Sequence, residues 1–272
     1  MTEEISTTRT DRAGSASARR KKSTLLFLRD LLVIFLVAVL VSFLIKTFLI
    51  RSFFIPSQSM EQTLVMDDRI IVNQLVPEVT PIEHGDVVVF KDPGGWLPAR
   101  VETEQPPLIA AVDWFLAFVG LSAPDSNDHL VKRVIGLPGD HVTCCNALGQ
   151  MSVNGVPLDE PYVALPPGET KVSRDDFDVT VPDDSLWVMG DNRYNSKDSR
   201  YNTETPLKGF VPIDNVVGRA FVVSWPIDHW AWLGNYPEVF AGVDEGSGLA
   251  GSFSGAFKAG YMQRYLCRRE FS

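Results

Sequence analysis

Hydrophobic and polar positions divide this chain into three stretches. Residues 1–23 are rich in Ser, Thr, Arg, Lys and Glu and nearly devoid of large apolar side chains, a pattern that predicts a disordered tail. Residues 31–50 are apolar except for Ser42, Lys46 and Thr47. As a helix, such a run extends roughly 30 Å, the thickness of a hydrocarbon core, so an anchor helix is expected over residues 24–50. Beyond it the chain turns to short β-type runs at 68–72, 86–91, 129–135, 151–153, 178–181, 186–189 and 218–223. Gly85-Asp86, Pro138-Gly139-Asp140 and Asn154-Gly155 supply turns between them. The expected fold class is therefore mostly β, an antiparallel sheet body over residues 51–225 with one N-terminal transmembrane α-helix.

Two stretches break the β pattern. Residues 108–121 are apolar almost all round, too short to span a bilayer comfortably, and predict an inserted helix, either buried or lying in the membrane interface. Residues 226–272 start rich in Trp and become rich in Gly, Ser and Ala, which predicts a loosely ordered extension. Trp225, Trp230 and Trp232 fit a core cluster or an interfacial aromatic belt.

Charge settles the orientation expected of the anchor. The chain carries a net −9, yet its first thirty residues hold seven basic side chains against four acidic ones, leaving −12 for the remainder. An acidic body argues against nucleic acid as a partner. The basic leader suits a cytoplasmic membrane surface, with everything after Arg51 outside. A cleavable secretory signal usually has an apolar region of about 7–15 residues ending in a small-x-small site, whereas here the run is longer and Arg51-Ser52-Phe53-Phe54 follows. The expectation is an uncleaved single-pass anchor in the cell membrane.

Candidate chemistry is sparse. Three cysteines, Cys144, Cys145 and Cys267, make no disulfide framework, and no Cys/His spacing points to a metal or other cofactor. A vicinal bridge between Cys144 and Cys145 is open outside the cell, but free thiols are the favoured expectation. His84, His129, His141 and His229 assemble into no convincing Ser-His-Asp triad and read as structural. Ser57 and Ser59 stand just beyond the anchor, and a serine nucleophile without histidine needs another base. A lysine serves once burial strips its proton, at a cost on the order of 4 kcal/mol for about three units. Lys132, in Leu130-Val131-Lys132-Arg133-Val134, fits if strand alternation turns it inward beside Leu130 and Val134 and turns Arg133 out.

Four blocks in one order carry a resemblance to the bacterial type I signal peptidases, membrane-anchored serine endopeptidases with a Ser/Lys dyad. They are Ile55-Pro56-Ser57-Gln58-Ser59-Met60 with Thr63-Leu64, Gly85-Asp86-Val87-Val88-Val89-Phe90, Lys132-Arg133-Val134-Ile135-Gly136-Leu137-Pro138-Gly139-Asp140, and Met189-Gly190-Asp191-Asn192-Arg193-Tyr194-Asn195-Ser196-Lys197-Asp198-Ser199-Arg200. The resemblance implies Ser59 as nucleophile, Lys132 as general base, Ser57 with the Ser59 N–H as oxyanion hole, and Ser196 as the group that aims Lys132. It assigns Asp191, Asn192, Arg193, Asp198 and Arg200 to supporting the site, with Asp198 and Arg200 expected on one strand face. Ile55, Pro56, Met60, Leu64 and Leu130 are candidates for shallow pockets that admit alanine. Glu61-Gln62 replaces a proline common before the Thr-Leu pair, and Tyr194 stands where an acid is common, which bears on loop shape.

The implied substrates are exported preproteins, bound as an extended strand and cleaved after small-x-small, typically Ala-x-Ala. Nine residues separate Ser59 from Ile50, so at about 3.3 Å per residue the serine lies within roughly 30 Å of the membrane surface. Two alternatives fit the same residues: a Ser/Lys peptidase dedicated to one substrate, such as a pilin or itself, and a non-enzymatic anchored scaffold.

Overall fold

The computed structural model describes residues 11–98 and 128–243. The expected helix at 108–121 and the final residues 244–272 lie outside them. The chain divides into two units, Met1–Leu49 and Ile50–Ser272.

The first unit is helix α1, Asp11–Phe48. It starts well inside the stretch expected to be a tail, because adding turns to an existing helix needs no new nucleus and the Ala, Arg and Lys of that stretch favour helix. Within it, Phe27–Ile45 is long and apolar enough to cross a membrane, and its side chains are exposed. Its C-terminal limit falls two residues short of the expected one, since Ile50 already belongs to a strand.

The second unit is built on an antiparallel sheet of order β1-β2-β11-β3-β4-β9-β10, with β12 also paired to β11. Its strands are β1 Ile50–Phe54, β2 Arg69–Asn73, β3 Val87–Lys91, β4 His129–Gly136, β9 Ser185–Met189, β10 Val211–Pro212, β11 Val216–Trp225 and β12 Ala231–Trp232. A smaller antiparallel sheet, order β7-β6-β5-β8, contains β5 His141–Cys144, β6 Met151–Val153, β7 Val156–Pro157 and β8 Phe177–Thr180. Asn154 and Gly155 both take positive φ between β6 and β7, as the two-residue hairpin expected there requires.

Central position explains the apolar runs. Along β3, Val87 and Val89 face one cluster with Phe53, Ile70 and Val72, while Val88 and Phe90 face another with Val134, Leu186 and Val188. A strand covered on both faces needs a continuous run rather than alternation. A third cluster joins the smaller sheet to Trp187 and Met189, and includes Val239, Phe240 and Val243.

Three expectations are corrected. Residues 233–243 are not loose, because Leu233, Val239, Phe240 and Val243 are buried in the core. Trp225, Trp230 and Trp232 form no core cluster and are exposed. Cys144 and Cys145 are joined as a disulfide.

Candidate active site

The segment bearing Ser59 is fixed at both ends. Ile55 N–H donates to Asp68 O and Asp67 N–H donates to Ile55 O, so residues 55–68 form a closed loop at the end of β1. Within it Gln58–Met60 make one 3-10 turn preceded by extended Ser57. Met60 and Leu64 sink into the core, and this apolar floor presents Ser59 toward β4.

Lys132 meets it there. Its Nζ lies 2.6 Å from Ser59 Oγ and donates to Val131 O at 2.9 Å. The side chain is only 3% exposed and has no carboxylate hydrogen-bond partner. Burial therefore lowers its pKa from 10.5 to about 8, against the charges of Asp198 and Asp191, which pull it upward. Ser57 Oγ is 3.2 Å from Ser59 Oγ, on the exposed side of the pair.

Arg133 departs from expectation. It points to the opposite face from Lys132, yet it is not turned out to solvent and is 0% exposed. The smaller sheet and residues 233–243 cover that face, and Asp191 satisfies the guanidinium through Nε to Oδ1 at 2.8 Å and Nη2 to Oδ2 at 2.7 Å.

Two further buried arginine–carboxylate pairs shape the loop from Gly190 to Arg200. Arg200 grips Asp198 at 2.9 and 2.8 Å. The two meet not on a strand face but across a 3-10 turn, Ser199–Tyr201, which Asp198 caps. Burial alone would raise the Asp198 carboxyl; Arg200 and the Gly190 N–H hold it below its ordinary value. Arg193 grips Glu160 at 2.7 and 2.6 Å and donates to Gly190 O. Glu160 was missed: in Asp159-Glu160-Pro161 it looks like a turn acid, and only the fold brings it 33 positions to Arg193.

The loop is tied directly to the serine. Asn192 N–H donates to Ser59 O at 3.1 Å, and its side chain donates to Glu61. Gly190 sits so close that a Cβ there would collide with Ser59 O and Ser196 Oγ. Ser196 is thus buried beside the pair, but its hydroxyl makes no hydrogen bond to Lys132 and lies instead by the Asp198 carboxylate, which it helps to keep ionised. Tyr194 donates its hydroxyl to Glu169 and Lys171 O, away from the dyad.

The pocket candidates separate. Ile55, Met60 and Leu64 are sealed in the core and support the floor rather than line an open wall. Pro56 is exposed, and half-buried Leu130 packs on the Val88 and Phe90 cluster. The histidines sit in other contacts: His84 with Asp140, His141 with Asp178, His229 with Asp68, and His129 against the Phe53 ring. Among the described residues no cluster of His, Cys, Asp and Glu suits a metal.

A serine hydroxyl, a buried amine 2.6 Å from it and a loop hydrogen-bonded to the serine backbone thus stand together, away from every histidine pair. A sequence model described as "Signal peptidase, peptidase S26" matches residues 28–225, and the chain belongs to that family. It is 36% identical over 259 residues to a probable signal peptidase I of Mycobacterium leprae, covering 86% of this chain and 88% of the relative. It is 39% identical over 229 residues to signal peptidase I of Mycobacterium tuberculosis, covering 77% and 76%. A solved signal peptidase I of Enterococcus faecalis is 26% identical and superposes at a TM-score of 0.33, covering 51% of this chain and 95% of that one.

Proposed function

We propose that this protein is a membrane-anchored endopeptidase that removes signal peptides from exported preproteins, with Ser59 and Lys132 as its dyad. The observation that carries this is the 2.6 Å approach of Ser59 Oγ to an amine that is buried and free of a carboxylate partner. At a pKa of about 8, roughly one amine in ten is neutral at pH 7, against about one in three thousand at the ordinary lysine value of 10.5.

The steps follow from that geometry. Neutral Lys132 takes the Ser59 proton as Oγ attacks the scissile carbonyl. The resulting oxyanion is stabilised by the Ser59 N–H and the Ser57 hydroxyl, which stands 3.2 Å from the attacking oxygen. The Lys132 ammonium then protonates the departing amine, leaving an acyl ester on Ser59. Water, deprotonated by the same amine, hydrolyses that ester and returns the proton to Ser59. Ser196, buried beside the dyad, is the group assigned to aiming Lys132.

The anchor, Phe27–Ile45, keeps the site near the bilayer, with the basic N-terminus cytoplasmic and the peptidase body outside. A preprotein held by its own apolar segment in the same membrane meets this site at raised effective concentration. Its chain lies extended along the strand leading to Lys132 and is cut after small-x-small, Ala-x-Ala above all.

Purified full-length protein in detergent should cleave a preprotein after Ala-x-Ala, and Ser59→Ala and Lys132→Ala should each lower kcat at least about a thousandfold. Undiminished turnover in both variants sinks the dyad. In cells, depletion should make many precursors accumulate; a single accumulating species would assign the protein to one dedicated substrate.

A further inference from the structure

Arg133 has five N–H donors, and all five are occupied. Two go to Asp191, one to Gly85 O at 2.7 Å, one to Thr63 Oγ1 at 3.3 Å and one to Gly234 O at 3.3 Å. Through Asp191 and Thr63 this guanidinium joins the strand that carries Lys132 to the loop that carries Ser59. Thr63 hydrogen-bonds Asp191 and its N–H donates to Met60 O, next to the serine. The last of the five acceptors comes from the C-terminal segment.

That segment is seated closely. Gly85 takes positive φ, and any Cβ there would collide with Asn235 O. Asn235 also donates to Glu83, and Phe240 stacks on His84. Tyr236 is the anomaly within it. Its φ is +51°, a left-handed backbone that is unfavourable for an ordinary side chain and usually falls to Gly or Asn. Its ring centroid lies 5.2 Å from the Arg133 guanidinium carbon and 5.0 Å from the ring of Tyr162, which itself lies 4.0 Å from that carbon. An aromatic face against a desolvated guanidinium is a gain that offsets the backbone cost.

We propose that residues 233–243 belong to the active-site support, and that Tyr236 is a positioning residue that, through Arg133, Asp191 and Thr63, holds Ser59 against Lys132. The inference rests on the Ser59/Lys132 reading above. It assigns work to a segment outside the four family-like blocks: Gly234 closes the hydrogen bonding of Arg133, and Tyr236 keeps water from it.

The test uses full-length protein in detergent and a peptide with an Ala-x-Ala site, comparing Tyr236→Gly, Tyr236→Leu and Tyr236→Phe with the parent. Glycine relieves the left-handed backbone, so a ring with a purely structural role has little claim on kcat in a variant that melts like the parent. The expected result for Tyr236→Gly is kcat lower by about tenfold with KM within about twofold, because the dyad rather than the substrate is misplaced. The pH midpoint of kcat/KM should also move upward from about 8, since an Arg133 held less closely to Asp191 leaves more of that carboxylate's charge to favour protonated Lys132. Tyr236→Phe should restore most of the rate.

A Tyr236→Gly protein with parental melting, kcat and midpoint overturns the proposal. If that variant does not fold, Tyr236→Leu decides. Parental melting with lowered kcat supports positioning; parental kcat, or failure to fold again, overturns it, the latter making Tyr236 a core residue only. Ser59→Ala and Lys132→Ala run alongside: turnover surviving in them ends the dyad reading, whereas inactive dyad variants beside indifferent Tyr236 variants end only this inference.

Discussion

The two faces of β4 bury neighbouring cations in opposite ways. Lys132 and Arg133 are both under 4% exposed, and each lost its hydration on folding. On one face Asp191 and three further oxygens surround Arg133, so although burial alone would lower its pKa, the carboxylate holds it above its ordinary value. On the other face Lys132 meets a serine hydroxyl and one carbonyl, and its pKa falls to about 8. Burial is endurable to a cation either by pairing or by proton loss. In the proposed mechanism the base takes the second way and the frame that aims it takes the first.

Removing a partner from the paired face should have the largest effect. Asp191→Ala leaves Arg133 buried with its charge uncompensated, and urea unfolding of the protein in detergent should show a loss of about 3–5 kcal/mol. A loss below about 1 kcal/mol would mean that water, not Asp191, balances the guanidinium.

The same operation on the other face should carry the opposite sign. Lys132→Met removes a desolvated amine and keeps an unbranched chain of similar bulk, so stability at pH 7 should rise by about 1–3 kcal/mol while turnover disappears. The pH dependence follows from one sign. The folded pKa, about 8, lies below the unfolded 10.5, so the unfolded chain binds the proton more readily. The penalty is absent above 10.5, grows as pH falls toward 8, and is constant below it. The stability gap between variant and parent should therefore close as pH rises through that window, and parental activity should rise through about 8. A pH-independent gap, or a rate flat from acid to alkali with cleavage rate-limiting, would place the charge elsewhere.

Much of this was legible in sequence, and the part that was not has one cause. Each of the seven β-type runs became a strand, because alternation or a continuous apolar run reports which faces are covered. Strand β1 was hidden, since apolar character runs unbroken through Ile50 and only pairing with Arg69–Asn73 marks the change from helix. The Ser59 and Lys132 approach came from block order, because the two are 73 positions apart and alternation alone leaves Lys132 free to face either way. The burial of Arg133 was illegible for the same reason. Asp191, Tyr162 and Gly234 stand far along the chain, and nothing local to β4 announces that a second layer closes over it.

The exposed cation completes the contrast. Lys171 pairs with Asp176 at 3.0 Å, as short as several buried contacts, but both side chains are about half exposed or more. Water solvates each ion almost as well as the partner does, and holding two flexible chains together costs entropy. Lys171→Ala should therefore change unfolding free energy by less than about 0.5 kcal/mol and leave kcat unaltered. If it instead cost as much as Asp191→Ala, pairing itself would be the stabilising agent, and the difference between the faces of β4 could not be assigned to burial.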